Sequence, residues 1–212
     1  TLIDNDCDVS WKEFLVDLGL VPPQENQLKE EFFRQYQEGR LNVEDFIRFQ
    51  YAQFAGKTPD EMQPMLRRHF EERICSRIYA EAVKTINSLR ARGVITAILT
   101  ATAQVIAAPL AEYLGVDELQ GTRLAILDGR YTGGMDLPYC YREGKIHYAR
   151  LICEKHGFSL GQASYYGDSL SDIPILEQVG FPVAVNPAPG LERLAQEKEW
   201  PVMRWTLEGN AH

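Results

Sequence analysis

The sequence lacks the features that would direct it to nucleic acid or to a membrane. Its 22 Lys and Arg residues are outnumbered by 30 Asp and Glu residues, and the formal net charge is -8. Binding to a phosphate backbone needs clustered cations, so we expect no nucleic-acid partner. No apolar run reaches the roughly 20 residues that span a bilayer, and no signal-peptide pattern is visible, so we expect no membrane partner.

Cysteine is also scarce, and the four residues are scattered without a CxxC pair at Cys7, Cys75, Cys140 and Cys153. Unpaired cysteines are typical of a reducing compartment, and their spacing disfavours a zinc site. We therefore predict a cytoplasmic protein. The 212 residues suffice for one sizeable core, or for a core with a small accessory domain, and nothing in them indicates an oligomeric state.

The first third of the chain has helical periodicity and no strand signals. A helix is predicted from Trp11 to the stop at Val21-Pro22-Pro23, and a second one over residues 28–39. Asn42 is predicted to cap a third helix, and Thr58-Pro59-Asp60-Glu61 is typical of the start of a fourth. Together these segments predict a compact unit of about four helices.

Strands and helices alternate from residue 80 onwards. The pattern predicts strands at 94–99, 163–167 and 182–185, a hairpin at 124–133, and helices at 105–114, 145–156 and 172–179. Alternation of this kind indicates a doubly wound parallel α/β sheet with right-handed crossovers. In such folds the active site lies at the carboxyl ends of the strands.

Three chemically reactive features fall at that edge of the predicted sheet. They are Thr100-Ala101-Thr102 after one strand, Lys145 at a helix start, and Gly167-Asp168-Ser169-Leu170-Ser171-Asp172 after another strand. A hydroxyl, an ammonium and paired carboxylates at one edge predict a phosphate and Mg²⁺ site, because Mg²⁺ prefers oxygen ligands. Taken singly, the same residues also fit a helix cap, a solvated lysine and carboxylates at a helix start.

Taken in this order, Thr100, Lys145, Gly167-Asp168 and Asp172 resemble motifs two to four of the haloacid dehalogenase (HAD) phosphatases. The helical segment resembles their C1-type cap. Four further segments resemble subfamily IB, which includes phosphoserine phosphatase-like and histidinol-phosphatase-like enzymes: Asp6-Cys7-Asp8-Val9-Ser10-Trp11, Asp128-Gly129-Arg130-Tyr131-Thr132-Gly133, Arg142-Glu143-Gly144-Lys145 and Glu199-Trp200-Pro201-Val202. The resemblance implies a HAD-like α/β core at 1–10 and 77–212 and an inserted α-helical cap at 11–76.

In that family the first motif is DxDxT at the end of the first strand. Its first Asp attacks phosphorus to form an aspartyl-phosphate, and its second acts as general acid and then base. The resemblance makes Thr1 the Thr of this motif, with both aspartates directly upstream of it. The alternative is that Asp4-Asn5-Asp6 is the motif, with Asp8 in place of the Thr.

The resemblance also implies a role for each remaining residue. Thr100 would hydrogen-bond the phosphoryl group, Lys145 would neutralise its charge, and Asp168 would bind Mg²⁺. Asp172 would bind or support the metal, and Asp6 would hold a substrate amine. Three neighbouring residues complete the expected substrate contacts: Ala101, Thr102 and Ser169.

The chain departs from the family pattern at three positions. Ser171 and Ala103 stand where Asn is usual, and Gln50 stands where the phosphoserine enzymes have a carboxylate-binding Arg. A neutral amide cannot form the bidentate ion pair that Arg makes with a carboxylate, although Arg48 is close in sequence.

We therefore expect a Mg²⁺-dependent phosphatase of a small phosphorylated metabolite, with histidinol phosphate favoured over phosphoserine. A HAD phosphotransferase or phosphoprotein phosphatase is one alternative. A non-catalytic phosphate-binding protein is another, and it applies if the two upstream aspartates are absent.

Overall fold

A computed structural model of the chain describes residues 1–22, 28, 31–32 and 42–207.

The N-terminal helices begin where polar side chains cap free backbone amides. Helix α1 (Cys7–Asp17) begins after Asp6, helix α2 (Val43–Gln50) after Asn42, and helix α3 (Pro59–His69) after Thr58. The helices predicted near residues 11, 42 and 58 are confirmed, although α1 begins at Cys7 and not at Trp11. The helix predicted over residues 28–39 lies for the most part outside the described residues.

The rest of the described chain alternates strands and helices and confirms the predicted α/β class. A π turn (Phe70–Ile74) and a 3₁₀ turn (Cys75–Arg77) lead into it. The elements that follow are α4 (Ala80–Ala91), β1 (Ala97–Ala103), α5 (Gln104–Leu114), β2 (Glu118–Thr122), β3 (Leu124–Leu127), β4 (Arg130–Met135), α6 (Glu143–Lys155), β5 (Ser164–Gly167), α7 (Ile173–Leu176), β6 (Phe181–Val185), α8 (Pro189–Glu197) and β7 (Val202–Met203).

The parallel strands of the described chain lie in two sheets. Strands β1 and β2 form one parallel pair, and β5, β6 and β7 form a second parallel sheet in that order. Strands β3 and β4 form the predicted antiparallel hairpin. A large cavity is lined by both β1 and β5. The carboxyl ends of both sheets therefore contribute to the same space.

Strand β1 begins three residues later than predicted and runs through residue 103. Gly93 has a φ of 72°, and its amide still donates to the Arg90 carbonyl at the end of α4. The Thr96 amide donates to the Asp117 carboxylate 2.8 Å away. Residues 93–96 therefore form the end of α4 and the loop that leads to β1. Val94 and Ile95 lie in this loop and are exposed, although their side chains are typical of a strand.

The largest apolar core joins the helical part to α5 and β1. Trp11, Phe14, Tyr51 and Phe54 are completely buried in it, and residues of α5 pack into the same cluster. Burial of such large side chains is the main favourable contribution to folding. The predicted boundaries of cap and core, at 11–76 against 1–10 and 77–212, stay a prediction. Among the described residues no helix is long and apolar enough to cross a bilayer.

Candidate active site

One cavity of about 1000 Å³ brings most of the predicted site residues together. Its lining includes nine of them: Asp6, Gln50, Thr100, Ala101, Thr102, Lys145, Asp168, Ser169 and Asp172. Arg48 is the exception, because it is exposed on α2 and is not part of the described lining. The structure therefore gives no support to Arg48 as a ligand for a substrate carboxylate.

Lys145 is held in the wall of the cavity by the first turn of α6. A Cβ atom on Gly144 would lie 1.8 Å from the Tyr139 carbonyl oxygen, so only glycine permits this approach of helix and loop. The buried Lys145 Nζ lies 2.6 Å from Asp172 Oδ1 and 3.2 Å from the Tyr165 hydroxyl oxygen. Burial alone would lower the pKa of Lys145, but Tyr165 and Asp172 raise it above its ordinary value. The side chain is therefore a fixed cation.

Both carboxylate oxygens of Asp172 are occupied by partners within the chain. Oδ1 accepts from Lys145 and, at 2.9 Å, from the Tyr165 hydroxyl. Oδ2 accepts the backbone amides of Asp168 and Ser169, each at 3.1 Å. Burial would raise the pKa of Asp172, but Lys145 and these hydrogen bonds hold it below its ordinary value. Of the two predicted roles, to bind or to support the metal, this geometry favours support, since Asp172 fixes Lys145 and the loop that carries Asp168.

Asp168 is the more open carboxylate of this loop. Its side chain is 35% exposed, and its Oδ2 contacts the amino nitrogen of Thr1. Thr1 thus lies against the loop that carries Asp168. Among the described residues no group of three or more His, Cys, Asp or Glu is placed to hold a metal ion. Because both oxygens of Asp172 are hydrogen bonded, Asp168 is the carboxylate of this loop that fits Mg²⁺ binding together with phosphate and water oxygens.

The segment after Leu99 presents polar backbone and hydroxyl groups to the cavity. The Thr102 amide donates to Thr100 Oγ1 at 3.2 Å, and the Ala101 carbonyl accepts from the Thr122 hydroxyl. The Ala103 amide donates to the Tyr51 hydroxyl at 3.1 Å. Helix α5 begins at the next residue, so its positive end adds to the anion-binding capacity of this part of the cavity.

Two nearby carboxylates, Asp6 and Asp8, have different partners. Asp6 is exposed, and its Oδ1 accepts the backbone amides of Asp8 and Val9, so it serves as the cap of α1. Asp8 is half-buried, lines the cavity, and accepts the Tyr51 hydroxyl at 2.9 Å. Sequence reasoning singled out Asp6 and missed Asp8, because both residues fall in one motif and only the fold distinguishes their surroundings.

The alternative first motif, Asp4-Asn5-Asp6, lies only partly in the cavity. Asp4 is exposed, pairs with Arg77 at 3.5 Å, and is not part of the described lining, whereas Asn5 and Asp6 are. The choice between this segment and a motif that ends at Thr1 stays a prediction.

Several partners of the site carry no signal in the sequence. Tyr51 follows a helical pattern and Tyr165 lies in a strand pattern, yet their hydroxyls position Asp8, Lys145 and Asp172. Gln50 is buried and its Nε2 donates to the Asp8 carbonyl at 2.7 Å, so it holds the start of α1. These contacts depend on which helices meet in the folded chain, and residue type alone does not reveal that.

Comparison with known proteins agrees with the geometry. Residues 1–177 match the haloacid dehalogenase-like hydrolase family. A histidinol-phosphatase of Neisseria meningitidis serogroup C (strain 8013) is 34% identical over 210 residues, which cover 97% of this chain and 95% of that protein. Matches of this extent confirm both the resemblance and the expectation of a HAD-type phosphatase.

Solved structures show the same fold. A protein of unknown function from Bordetella pertussis Tohama I superposes with a TM-score of 0.89 at 31% identity, covering 98% of this chain and 94% of that one. A substrate-bound phosphoserine phosphatase superposes with a TM-score of 0.65 at 22% identity, covering 96% and 88%. The latter likeness supports the fold alone. From the family match, the extent of the sequence identity and the shared fold, the chain belongs to the haloacid dehalogenase-like hydrolase family.

Proposed function

We propose that this chain hydrolyses the phosphomonoester of a small metabolite with the help of Mg²⁺. The observation that carries the proposal is the buried Lys145–Asp172 pair, which sets a fixed cation and the Asp168 loop in the same cavity as Thr100. A phosphoryl group needs such a cation, because negative charge is spread over its oxygens as the bond to the leaving group breaks.

Asp168 is the residue of the described chain that fits a Mg²⁺ ligand. It is partly exposed to the cavity, whereas the oxygens of Asp172 are already hydrogen bonded. Proteins bind Mg²⁺ through one or two carboxylates, leaving other positions for phosphate and water. When bound, Mg²⁺ would polarise the phosphoryl oxygens and neutralise their charge.

The resemblance to the family supplies the nucleophile, from an aspartate directly upstream of Thr1. An oxygen of that carboxylate attacks phosphorus, the P–O bond to the leaving group breaks, and the second aspartate of the motif donates a proton to the departing oxygen. Water then attacks phosphorus, the bond between phosphorus and the first aspartate breaks, and the second aspartate takes the proton of the water. The first carboxylate is regenerated and inorganic phosphate leaves.

The described chain contributes positioning and charge to these steps. Lys145 and Thr100 line the same cavity, where they would offer a charge and a hydroxyl to the transferring oxygens, and the start of α5 would add backbone amides. Residues of α1 and α2, among them Asp8 and Gln50, also line the cavity. This helical part would exclude water while phosphoryl transfer takes place.

Histidinol phosphate is the substrate that we propose first. The relative from Neisseria meningitidis is named for that activity and shares 34% of its residues with this chain. Gln50 donates its amide to the Asp8 carbonyl and brings no positive charge for the carboxylate of phosphoserine.

The four cysteines form no disulfide, which supports a reducing compartment such as the cytoplasm.

Steady-state release of inorganic phosphate tests the proposal on the natural full-length protein. A panel of phosphomonoesters should be hydrolysed with Mg²⁺ and not with EDTA, and Asp168→Asn should lower kcat by about 100-fold or more. Binding of Mg²⁺ with inorganic phosphate should also raise the Tm of the wild type more than that of the variant. Transfer of phosphate to an added alcohol in preference to water would indicate a phosphotransferase, and absence of any turnover would contradict an enzyme.

A further inference from the structure

Asp8 is placed at the boundary between the helical part and the phosphate-binding segment. Its Oδ1 accepts the Tyr51 hydroxyl at 2.9 Å, and that hydroxyl accepts the Ala103 amide at 3.1 Å. Tyr51 is completely buried, so it offers little freedom to the group that it holds. The Asp8 carboxylate is therefore fixed in the wall of the cavity that also contains Thr100 and Lys145.

The described surroundings of Asp8 provide no positive charge. Its carboxylate meets a phenol and a backbone amide there, and the charged side chain that acts on it is Asp6. Burial, followed by the charge of Asp6, raises the pKa of the Asp8 carboxyl to about 8. A carboxylate in such a place gains strongly from a cation, because charge that is removed from water is costly unless it is paired.

Aromatic rings line the same cavity and would favour a planar cation. Tyr139 and Tyr141 stack with ring centroids 5.5 Å apart and planes 24° apart, and Phe46 also lines the space. The Tyr139 hydroxyl lies close enough to Tyr51 to contribute to raising its pKa, after the larger effects of burial and Asp8. Aromatic faces attract ammonium and imidazolium groups, and their flat surfaces pack well against a ring.

Asp6 is less suited to the same task. Its Oδ1 already accepts two backbone amides at the start of α1, where the helix dipole also favours its negative charge. It is exposed to water, which weakens any attraction between it and a ligand cation. Asp8, two residues later, is fixed, half-buried and in the wall of the cavity.

We propose that Asp8 is the specificity-determining carboxylate of this site and that it receives the cationic end of the substrate, an ammonium or imidazolium group. The proposal rests on the proposed function for the phosphate end of the same cavity. Asp8 and Lys145 then bind the two ends of one molecule that has a phosphate at one end and a positive charge at the other. An ester without a positive charge would keep only the contacts at the phosphate end.

The matched variants Asp8→Asn and Asp6→Asn test the proposal, because each replaces a carboxyl group that can ionise with a neutral amide of the same shape. Asn still accepts the Tyr51 hydroxyl at position 8, and Asn is a good helix cap at position 6. Asp8→Asn should lower kcat/KM for histidinol phosphate by about tenfold or more, mainly through KM, and change that for p-nitrophenyl phosphate by less than about twofold. Asp6→Asn should change the ratio of the two values far less.

The opposite pattern would overturn the inference. If Asp8→Asn lowers kcat/KM equally for both esters, the residue has a structural role only, and if Asp6→Asn changes the ratio more, the cation lies at Asp6. Calorimetric titration with histidinol, which carries the cations and no phosphate, separates this inference from the proposed function. The wild type should bind histidinol about tenfold more tightly than Asp8→Asn even if no ester is hydrolysed, and equal affinities would contradict the role of Asp8.

Discussion

Two carboxylates in the wall of the cavity, Asp172 and Asp8, each accept a tyrosine hydroxyl at 2.9 Å, yet they are in opposite electrostatic states. Their surroundings are called the Asp172 end and the Asp8 end. Asp172 accepts Tyr165 and also pairs with Lys145 at 2.6 Å, and its pKa is lowered. Asp8 accepts Tyr51, has no cation among its described partners, and has a pKa that burial and Asp6 raise to about 8.

In this cavity a cation paired with a carboxylate therefore determines whether that carboxylate is charged. A single hydrogen bond from a tyrosine hydroxyl does not determine it. At the Asp172 end the chain itself supplies the positive charge, so the site is ready for phosphate before any ligand arrives. At the Asp8 end the described chain leaves the charge to a ligand. A site with these two ends is suited to a molecule that has a phosphate at one end and a cation at the other.

The largest expected effect on stability comes from breaking the ion pair between Lys145 and Asp172. Asp172→Asn leaves the ammonium of Lys145 buried without a carboxylate, and we expect the free energy of unfolding to fall by about 3–5 kcal/mol. Urea denaturation at pH 7 measures this change in the free energy of unfolding. The double variant Lys145→Met with Asp172→Asn should recover a large part of the loss, since no buried charge remains. A loss below about 1 kcal/mol in the single variant, as for an exposed pair, would contradict the account.

Stability should depend on pH in opposite ways at the two ends of the cavity. The pKa of Asp8 is raised from 3.8 to about 8 on folding, so its ionisation removes stability as pH rises between these values. Asp8→Asn should therefore gain stability relative to the wild type over that range, by up to about 1.4 kcal/mol for each pH unit. Unfolding free energies at pH 5 and pH 8 provide the measurement.

The Asp172 end should show the reverse trend. Its folded-state pKa is below the ordinary value, so the stability that its ionisation contributes is present above that ordinary value and is lost as pH falls. The deficit of Asp172→Asn relative to the wild type should therefore shrink at acidic pH. Parallel trends in the two variants would show that the two carboxylates do not differ as described.

A smaller effect is expected from removing the hydroxyl that joins Lys145 to Asp172. Tyr165→Phe should cost about 1–2 kcal/mol in unfolding free energy, because two buried groups each lose a partner. It should also lower kcat more than it changes KM, since Lys145 would be held less firmly. Tyr166→Phe is the matched control, because the neighbouring ring stacks on Trp205 instead. Equal effects of the two substitutions on kcat and KM would show that the Tyr165 hydroxyl does not position Lys145 for the reaction.

The smallest effect is predicted for a helix cap outside the described cavity lining. Thr58→Ala removes the capping box of α3 and should cost about 1 kcal/mol. Because Thr58 does not line the cavity, the ratio of kcat/KM for histidinol phosphate and p-nitrophenyl phosphate should stay the same. A changed ratio would mean that loss of stability in the helical part alone alters selectivity, and it would weaken the interpretation of Asp8→Asn.

Features that depend on local chemistry and on chain order were predictable from the sequence. Asn42 and Thr58 begin helices because their side chains accept amides of the following turn. Thr100, Lys145 and Asp168 line one cavity because strand ends and helix starts meet at one edge of an α/β fold. Glycine is also required at two positions of this edge. A Cβ atom on Gly144 would collide with Tyr139, and one on Gly167 would collide with Asp172.

Features that depend on which side chains meet across the fold were not predictable. Asp6 and Asp8 have the same chemistry two residues apart, and only the position of Tyr51 makes them different. Whether Asp172 binds or supports the metal was left open, because its partner Tyr165 gives no signal in a strand pattern. The late start of β1 depends on the bond between Thr96 and Asp117, which are 21 residues apart.

The most direct test of the central claim is the selectivity of the wild-type full-length protein between histidinol phosphate and phosphoserine. Both carry a phosphate and an amine, but phosphoserine also carries a carboxylate that would face Asp8. We predict a kcat/KM for histidinol phosphate that is at least about tenfold higher, equivalent to about 1.4 kcal/mol. An equal or higher kcat/KM for phosphoserine would contradict the claim.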